Sequence, residues 1–463
     1  MEWRLTIKKV AEVTNGEIVG CDADEIVKDI SKDSRNIIEG AIYIALKGDK
    51  YNGHTFVKTA TESGAICSIV AEGEGDFSGC PIIRVKDTYK ALRDIAEYYR
   101  TLFNIPIIGI TGSVGKTSTK EMVASVLEKR YKTHKTAGNF NNEIGLPLTI
   151  LGLSGDDEIS VIEMGMSDFG EISRLTKIAK PDTAIITNIG VSHIEHLGSR
   201  ENIKKAKFEI LEGLPIDGTV IINGDDDMLY KAKDEIGFET LTFGIKNINS
   251  DIVAHNIKSY SDSSEFIVGI EGRDYKIFIN APGTHHIYNA LAAILIGLKY
   301  NVNVDNIIKG IRDFTPSGLR QNVIRYENYT VIKDCYNASP TSMKAGLEVL
   351  SLLADGDGDR PRCVACLADM LELGDISKSE HLAIGNLVAE SAVDCLITVG
   401  ENGKYIASGA IENGMDSEEV HSFSNNSELI QELNNILKKG DMVLVKGSRG
   451  MRLEEIADYI GTI

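Results

Sequence analysis

Short apolar runs that end in a polar residue or a glycine recur along the chain: Ile159–Met164, Thr183–Asn188 and Thr219–Asn223, then Thr330–Lys333, Arg362–Leu367, Cys395–Val399 and Met442–Val445. Runs of this length read as buried strands, and their alternation with helical segments predicts a mostly parallel sheet covered by helices. A further run, Ile105–Ile110, is followed by Met122, Val123, Val126 and Leu127, an i, i+4 stripe that predicts a helix lying on the sheet. Asp251–Ile279 breaks the rhythm with strand-like alternation and predicts an antiparallel edge. Upstream, Ala41–Leu46 and Pro81–Val85 predict strands, Thr88–Phe103 a helix, and Met1–Val10 a short strand of mixed polarity. With the turn-rich joint Thr315-Pro-Ser-Gly318, the pattern is α/β in three domains: a small one over 1–104, a central parallel-sheet one over 105–316 and a Rossmann-like one over 317–463. No internal repeat interrupts this order.

Length agrees, since 463 residues exceed one ordinary core and call for two to four domains. The net charge of −19 repels polyanions, so nucleic acid and anionic membranes are not expected partners, and any phosphate ligand must be held by local loops. No apolar run approaches the length of a membrane span and no signal-peptide core is present, so no membrane insertion and a cytoplasmic setting are expected. The seven cysteines are scattered, and the single Cys-x-x-Cys pair, Cys363 and Cys366, reads as part of a buried strand. Asp355-Gly-Asp-Gly-Asp-Arg360 lacks the later glutamate of a calcium loop and reads as a solvated turn.

Chemistry concentrates after the Ile105–Ile110 strand. Gly109-Ile-Thr-Gly-Ser-Val-Gly-Lys-Thr117 reads as a phosphate-binding loop. Gly112 and Gly115 let backbone N–H groups turn toward an anion, Ser113 and Ser118 flank the turn, and Lys116 reaches the outer phosphates. Thr117 can ligate Mg²⁺, and the helix N-terminus adds partial positive charge. The strict motif has glycine where this chain has Ile110.

Other clusters fall where an α/β sheet places a site, at the carboxyl ends of strands. Glu163 follows a strand and offers the hard oxygen that Mg²⁺ requires. His193 and His196 follow another, either as surface residues or as part of a site. Lys204, Lys205 and Lys207 form a basic run on a helix, whose plain reading is a solvated face. Asn139, Asn141 and Asn142 are turn residues or substrate-binding amides.

Together these segments resemble the Mur ligases. Ile110-Thr-Gly-Ser-Val-Gly-Lys-Thr117, Asn141-Asn-Glu-Ile-Gly-Leu-Pro147, Glu163-Met-Gly165, His193-Ile-Glu-His-Leu-Gly-Ser199, Lys205-Ala-Lys-Phe-Glu-Ile210 and Asn289 occur in that family's order. So do Asp334-Cys-Tyr-Asn-Ala-Ser-Pro-Thr-Ser-Met343, Leu367-Ala-Asp-Met-Leu-Glu-Leu-Gly-Asp375 and Val445-Lys-Gly-Ser-Arg-Gly450. The resemblance spans nearly the whole chain. It implies an ATP-dependent amide ligase of cell-wall peptidoglycan synthesis, in which a substrate carboxylate becomes an acyl phosphate that an amine then attacks.

By that resemblance Lys116 and Thr117 serve ATP and one Mg²⁺, Glu163 and His193 are metal ligands, and Lys207 is the lysine that CO₂ can convert to N6-carboxylysine for a second Mg²⁺. Asn289 is the adenine contact, with helix capping as its plain alternative; Arg320 contacts phosphate and Asp334 ribose, with Tyr336 and Asn337 beside them. In the first domain Ser34-Arg35, Ala45-Leu-Lys47-Gly48 and Gly53-His54 resemble segments that recognise a UDP-sugar. Asn141 and Asn142 are assigned to substrate, and Lys446, Ser448 and Arg449 to the peptide. Asp168 stands where relatives often carry histidine.

None of the nine prolines follows Asp-Asn, the signature of the sibling branch that adds the third stem residue. Asp334-Cys-Tyr-Asn-Ala338, Asp369-Met-Leu-Glu-Leu-Gly374 and Val445-Lys-Gly-Ser-Arg449 resemble instead the branch that adds a dipeptide, and that resemblance implies UDP-N-acetylmuramoyl-tripeptide and D-alanyl-D-alanine as substrates; a monomer is expected. The alternatives are another amino-acid or folate ligase of the superfamily and a non-catalytic nucleotide-binding module.

Overall fold

A computed structural model describes residues 5–48, 50–316, 318–355 and 360–463. The fold is α/β. The N-terminal strands are β1 (Leu5–Thr6), β2 (Glu17–Val19), β3 (Ile26–Val27), β4 (Asp29–Ser31), β5 (Ala41–Ile44), β6 (Cys67–Ala71) and β7 (Ile82–Val85). β1 pairs with β3, and the other five form a sheet in the order β2-β7-β6-β5-β4, parallel except at the β2 edge. Helix Thr88–Arg100 packs Leu92 and Ile95 into that sheet's core and is capped by Asp87, whose carboxylate accepts from Tyr89 N and Lys90 N.

Strands β8 (Ile107–Thr111), β9 (Thr133–Lys135), β10 (Ile159–Glu163), β11 (Thr183–Ile186), β12 (Thr219–Asn223), β13 (Glu239–Gly244), β14 (Ile252–Ser259), β15 (Ser264–Ile270) and β16 (Arg273–Ile279) make a nine-stranded sheet ordered β16-β15-β14-β13-β12-β11-β8-β10-β9. β8, β10, β11 and β12 are buried along their whole length, which is why they read as unbroken apolar runs. β14, β15 and β16 are antiparallel to one another, the edge that the alternation over Asp251–Ile279 predicts.

The last sheet comprises β17 (Asn322–Arg325), β18 (Thr330–Asp334), β19 (Cys363–Ala368), β20 (Cys395–Val399), β21 (Val420–Phe423) and β22 (Met442–Lys446), ordered β17-β18-β22-β19-β20-β21 and parallel beyond β17. Cys363 and Cys366 lie in the separate apolar clusters on its two sides, as strand residues three apart must, so they cannot share a metal. By packing, residues 1–110, 131–184 and 208–218 form one compact unit, and 111–130, 185–207 and 219–463 a second.

The N-terminus departs from expectation. Of the strand expected over Met1–Val10 only Leu5–Thr6 is one among the described residues; Thr6 then caps a helix over Ile7–Thr14, its hydroxyl accepting from Lys9 N at 3.2 Å. Ile7, Val10, Ala11 and Thr14 are the buried residues, an i, i+3, i+4, i+7 face that explains the mixed polarity. Met1–Arg4, Ser317 of the expected joint and residues 356–359 of the expected turn lie outside the described residues.

Candidate active site

β8 delivers the chain into the loop, and helix Lys116–Leu127 begins immediately after it. Gly115, the helix N-cap, has φ +86° and Gly112 φ +148°, conformations that L side chains rarely adopt. A Cβ on Gly112 would stand 1.9 Å from Thr187 Oγ1. The loop backbone is pinned to the residues after β11: Ser113 N donates to Asn188 O (3.1 Å), Val114 N to Asn188 Oδ1 (3.0 Å), and Thr187 Oγ1 and Asn188 Nδ2 donate to Val114 O (2.6 and 2.9 Å). Gly190 N donates to Ser113 Oγ at 2.9 Å. Lys116 Nζ curls back to Gly112 O at 2.8 Å, and Thr117 is buried with Ser118 beside it in the first helical turn. Thr187 and Asn188, which the sequence marks only as a strand end, are thus the residues that shape the loop.

Of the basic run on helix Arg200–Phe208, Lys205 is exposed and Lys204 pairs with Glu201 at 3.0 Å, so a solvated face describes them. It does not describe Lys207, which is 2% exposed. Burial, and then the neighbouring Lys116 charge, push the Lys207 amine well below the usual lysine range. Asn289 sits in the second turn of helix Thr284–Lys299 and is no cap; its Oδ1 accepts from Thr119 Oγ1 at 2.9 Å. Its Nδ2 is buried with no partner among the described residues, a donor awaiting an acceptor in a place lined by the loop helix.

His193 and His196 part company: His196 is exposed, whereas His193 Nδ1 lies 2.5 Å from Glu372 Oε2. Both members of that pair have left-handed backbones, φ +64° for His193 and +62° for Glu372, the kind of local strain that clusters at functional sites. The imidazole holds the Glu372 carboxyl below its ordinary range. Glu372 lies inside the Asp-Met-Leu-Glu-Leu-Gly segment, but only its tertiary partner singles it out.

Beyond the joint, β18 and β22 run in a register that pairs Asp334 with Lys446. Lys446 Nζ donates to Asp334 Oδ2 at 2.7 Å and to Asn337 O at 3.1 Å, both side chains buried. The lysine expected at the peptide is therefore committed to the aspartate expected at ribose. The Arg320 guanidinium stacks 4.0 Å from the centroid of the Tyr336 ring. Ser448 is buried, its Oγ accepting from Leu371 N at 2.9 Å, and Arg449 is exposed in an ion pair with Glu454.

The first unit carries the remaining residues. Glu163, the last residue of β10 and paired in register with Ile110, is fully buried; its Oε1 accepts from Asn141 Nδ2 at 2.7 Å. Asn142 Oδ1 accepts from Ile144 N and Gly145 N, which is the turn role, while the Asn141 side chain is engaged with Glu163. Ser34 is buried, while Arg35 is 84% exposed in its side chain and forks onto Asp33 with two 2.8 Å bonds. Lys47 pairs with Glu74 at 2.8 Å, and His54 Nε2 accepts from Ala71 N at 3.0 Å.

Among the described residues no group of three His, Cys, Asp or Glu side chains is arranged to hold a metal alone. Mg²⁺ takes hard oxygen donors, and the Thr117 hydroxyl and the Glu163 carboxylate are each of that kind, one in either compact unit.

A phosphate loop at the end of a parallel strand, with a desolvated lysine beside it and a Rossmann-like sheet following in the same chain, fits the class of nucleotide-dependent enzymes to which ligases belong. The Mur ligase middle domain model matches residues 110–297, and the model described as Mur ligase, glutamate ligase domain matches residues 319–449. The chain is 37% identical over 97% of both lengths to UDP-N-acetylmuramoyl-tripeptide–D-alanyl-D-alanine ligase of Bacillus subtilis (strain 168). It is 32% identical to the enzyme of that name from Escherichia coli (strain K12), over 98% of this chain and 97% of that one. A crystal structure of MurF from Acinetobacter baumannii superposes with a TM-score of 0.88 at 30% identity over 99% of each chain. MurF ligase from Thermotoga maritima in complex with ADP does so with a TM-score of 0.81 at 28% identity, over 94% and 97%. The chain belongs to the Mur ligase family.

Proposed function

We propose that this chain is an ATP-dependent amide ligase of peptidoglycan precursor synthesis that joins D-alanyl-D-alanine to UDP-N-acetylmuramoyl-tripeptide through an acyl phosphate. The observation that carries this reading is the match to ligases of that name over 97% of both chains, because it includes the third domain, to which choice of the amine is assigned. We assign 1–104 to the UDP-linked substrate, 105–316 to ATP, and 317–463 to the amine and part of ATP.

A carboxylate resists attack by an amine, so it must first acquire a leaving group. Backbone amides of the loop and the Lys116 ammonium bind the ATP phosphates and offset the charge that develops as the terminal phosphoryl moves to the substrate carboxylate. Asn289 Nδ2 donates to the adenine, Arg320 holds phosphate with its plane fixed by Tyr336, and Asp334, oriented by Lys446, receives the ribose hydroxyls.

Ser34, Arg35 and Lys47 take the UDP-sugar, and Asn141 orients Glu163. The Lys207 amine, whose neutral form burial favours, adds to CO₂ once deprotonated: a C–N bond forms, a proton leaves, and the resulting carbamate is an anion. Thr117, Glu163, His193 and that carbamate would hold Mg²⁺, which when bound supplies positive charge between carboxylate and phosphates. Closure over the acyl phosphate excludes water.

The amine then attacks and phosphate departs; Ser448 and Arg449 are assigned to the acceptor. One chain carries every assigned group, so a monomer suffices. Among the described residues no helix is long and apolar enough to cross a membrane, and we assign the work to the cytoplasm.

The test is phosphate release with UDP-muramoyl-tripeptide and a panel of amines. D-alanyl-D-alanine should support turnover, and D-alanine, L-lysine and diaminopimelate should not. Comparable turnover with a single amino acid on a UDP-muramoyl-dipeptide would move the chain to a sibling branch.

A further inference from the structure

Two of the seven cysteines, neither of them among the residues assigned above, meet in the N-terminal sheet. Cys21 lies just beyond the short edge strand β2, and Cys67 opens β6; β7 runs between those two strands. Val19 of β2 pairs with Ile82 from one side and Ser68 of β6 pairs with it from the other, so both thiols are carried to the same end of the sheet. Cys21 Sγ stands 2.8 Å from Cys67 Sγ and 3.5 Å from Ile82 O. A disulfide has its sulfurs ~2.05 Å apart, so bonding requires a movement of under about 1 Å.

The two thiols are chemically unequal. Cys21 is half-buried and reachable by a small reagent, whereas Cys67 is buried. The hydrogen bond from Cys67 favours the Cys21 thiolate, against the opposing effects of its own partial burial and then of Glu25; that bond together with burial holds the Cys67 proton in place. Among the described residues no other pair of thiols is in hydrogen-bond contact, although Cys366 lies in one buried cluster with Cys335 and Cys395. Cys335, Cys363, Cys366 and Cys395 are buried, and burial raises each thiol above its ordinary range.

We propose that Cys21 and Cys67 form a redox-modification site for small disulfides, with Cys21 the attacking thiol and Cys67 the resolving one. The Cys21 thiolate attacks one sulfur of oxidised glutathione; the new S–S bond forms as the old one breaks and one glutathione thiolate leaves. Cys67 then gives its proton to solvent and attacks Cys21 Sγ, expelling the second glutathione. Two protein thiols lose two electrons and two protons, and one glutathione disulfide becomes two thiols. The product fastens the three-residue edge strand to the interior of its sheet across β7.

The experiment treats the full, folded chain with oxidised glutathione, alkylates the remaining thiols after denaturation and maps the peptides by mass. The expected product is a Cys21–Cys67 linked peptide, lighter by two hydrogens and formed ahead of any change at Cys80 or the four buried cysteines. Cys67→Ala should stop the reaction at a glutathione adduct on Cys21, and Cys21→Ser should leave Cys67 unmodified. A wild-type Cys21 adduct persisting beside an alkylatable Cys67 would overturn the proposal, as would first reaction at Cys80 or no reaction.

Discussion

Burial, and then the neighbouring Lys116 charge, lower the pKa of the Lys207 amine well below the usual lysine range and so favour its neutral form. As a neutral amine it is nucleophilic toward CO₂; as a carbamate it is an anion. Lys207→Ala should therefore lose most ligase activity, about 100-fold or more, as expected for removing a transition-state charge partner. Short carboxylic acids should restore part of it by supplying an anion in the vacated space. Full wild-type activity in bicarbonate-depleted buffer, with an unmodified lysine by mass, would defeat the carbamate.

The same burial makes a stability statement. Because the fold lowers the amine's pKa, the unfolded chain binds a proton that the folded chain lacks in the window below 10.5. Stability in CO₂-free buffer should then climb as pH rises toward 10.5, by at most about 1.4 kcal/mol per pH unit, and level off above it. Urea midpoints read in parallel on Lys207→Met should lack that slope; identical slopes would show that Lys207 is not the titrating group.

At the scale of elements, strands buried on both faces were legible because nothing but an apolar run satisfies them: β10, β11 and β12 lie inside the runs that announce them, and β8 runs one residue past its own. The helix Ile7–Thr14 was not, since eight residues with four buried positions give too little periodicity to outweigh a mixed-polarity strand. Loop contacts were hidden for a different reason. Asp334 and Lys446 are 112 residues apart and meet only because β18 and β22 are neighbours in register. His193 and Glu372, and Asn188 with the loop backbone, likewise depend on the order of strands, which local pattern does not encode.

The phosphate loop itself was legible from its glycines, and one of them is testable as backbone geometry. Gly112→Ala would place a methyl 1.9 Å from Thr187 Oγ1 at φ +148°. It should destabilise the fold by about 1–3 kcal/mol and weaken ATP binding together. Calorimetry and nucleotide titration check both, and an unchanged melting point would mean that the loop relaxes freely.

For the whole molecule, the question is whether the substrates are recognised independently. Arg35 belongs to the first compact unit and the phosphate loop, from Thr111 on, to the second. The Arg35 guanidinium is exposed and is held by Asp33, with the carboxylate drawn far below its ordinary range by that pairing; an exposed pair of this kind adds little to stability. What it can do is present a planar fork to phosphate or carboxylate oxygens of a ligand. Arg35→Ala should therefore raise the KM for UDP-muramoyl-tripeptide by roughly 10-fold, the loss of one charge-assisted contact of about 1.5 kcal/mol, while leaving ATP affinity and the melting temperature unchanged. An equal loss for both ligands would signal damage to the fold, and Arg35→Lys separates the cases, since it keeps the charge and loses the fork. No change for either ligand would remove the first domain's arginine from substrate recognition.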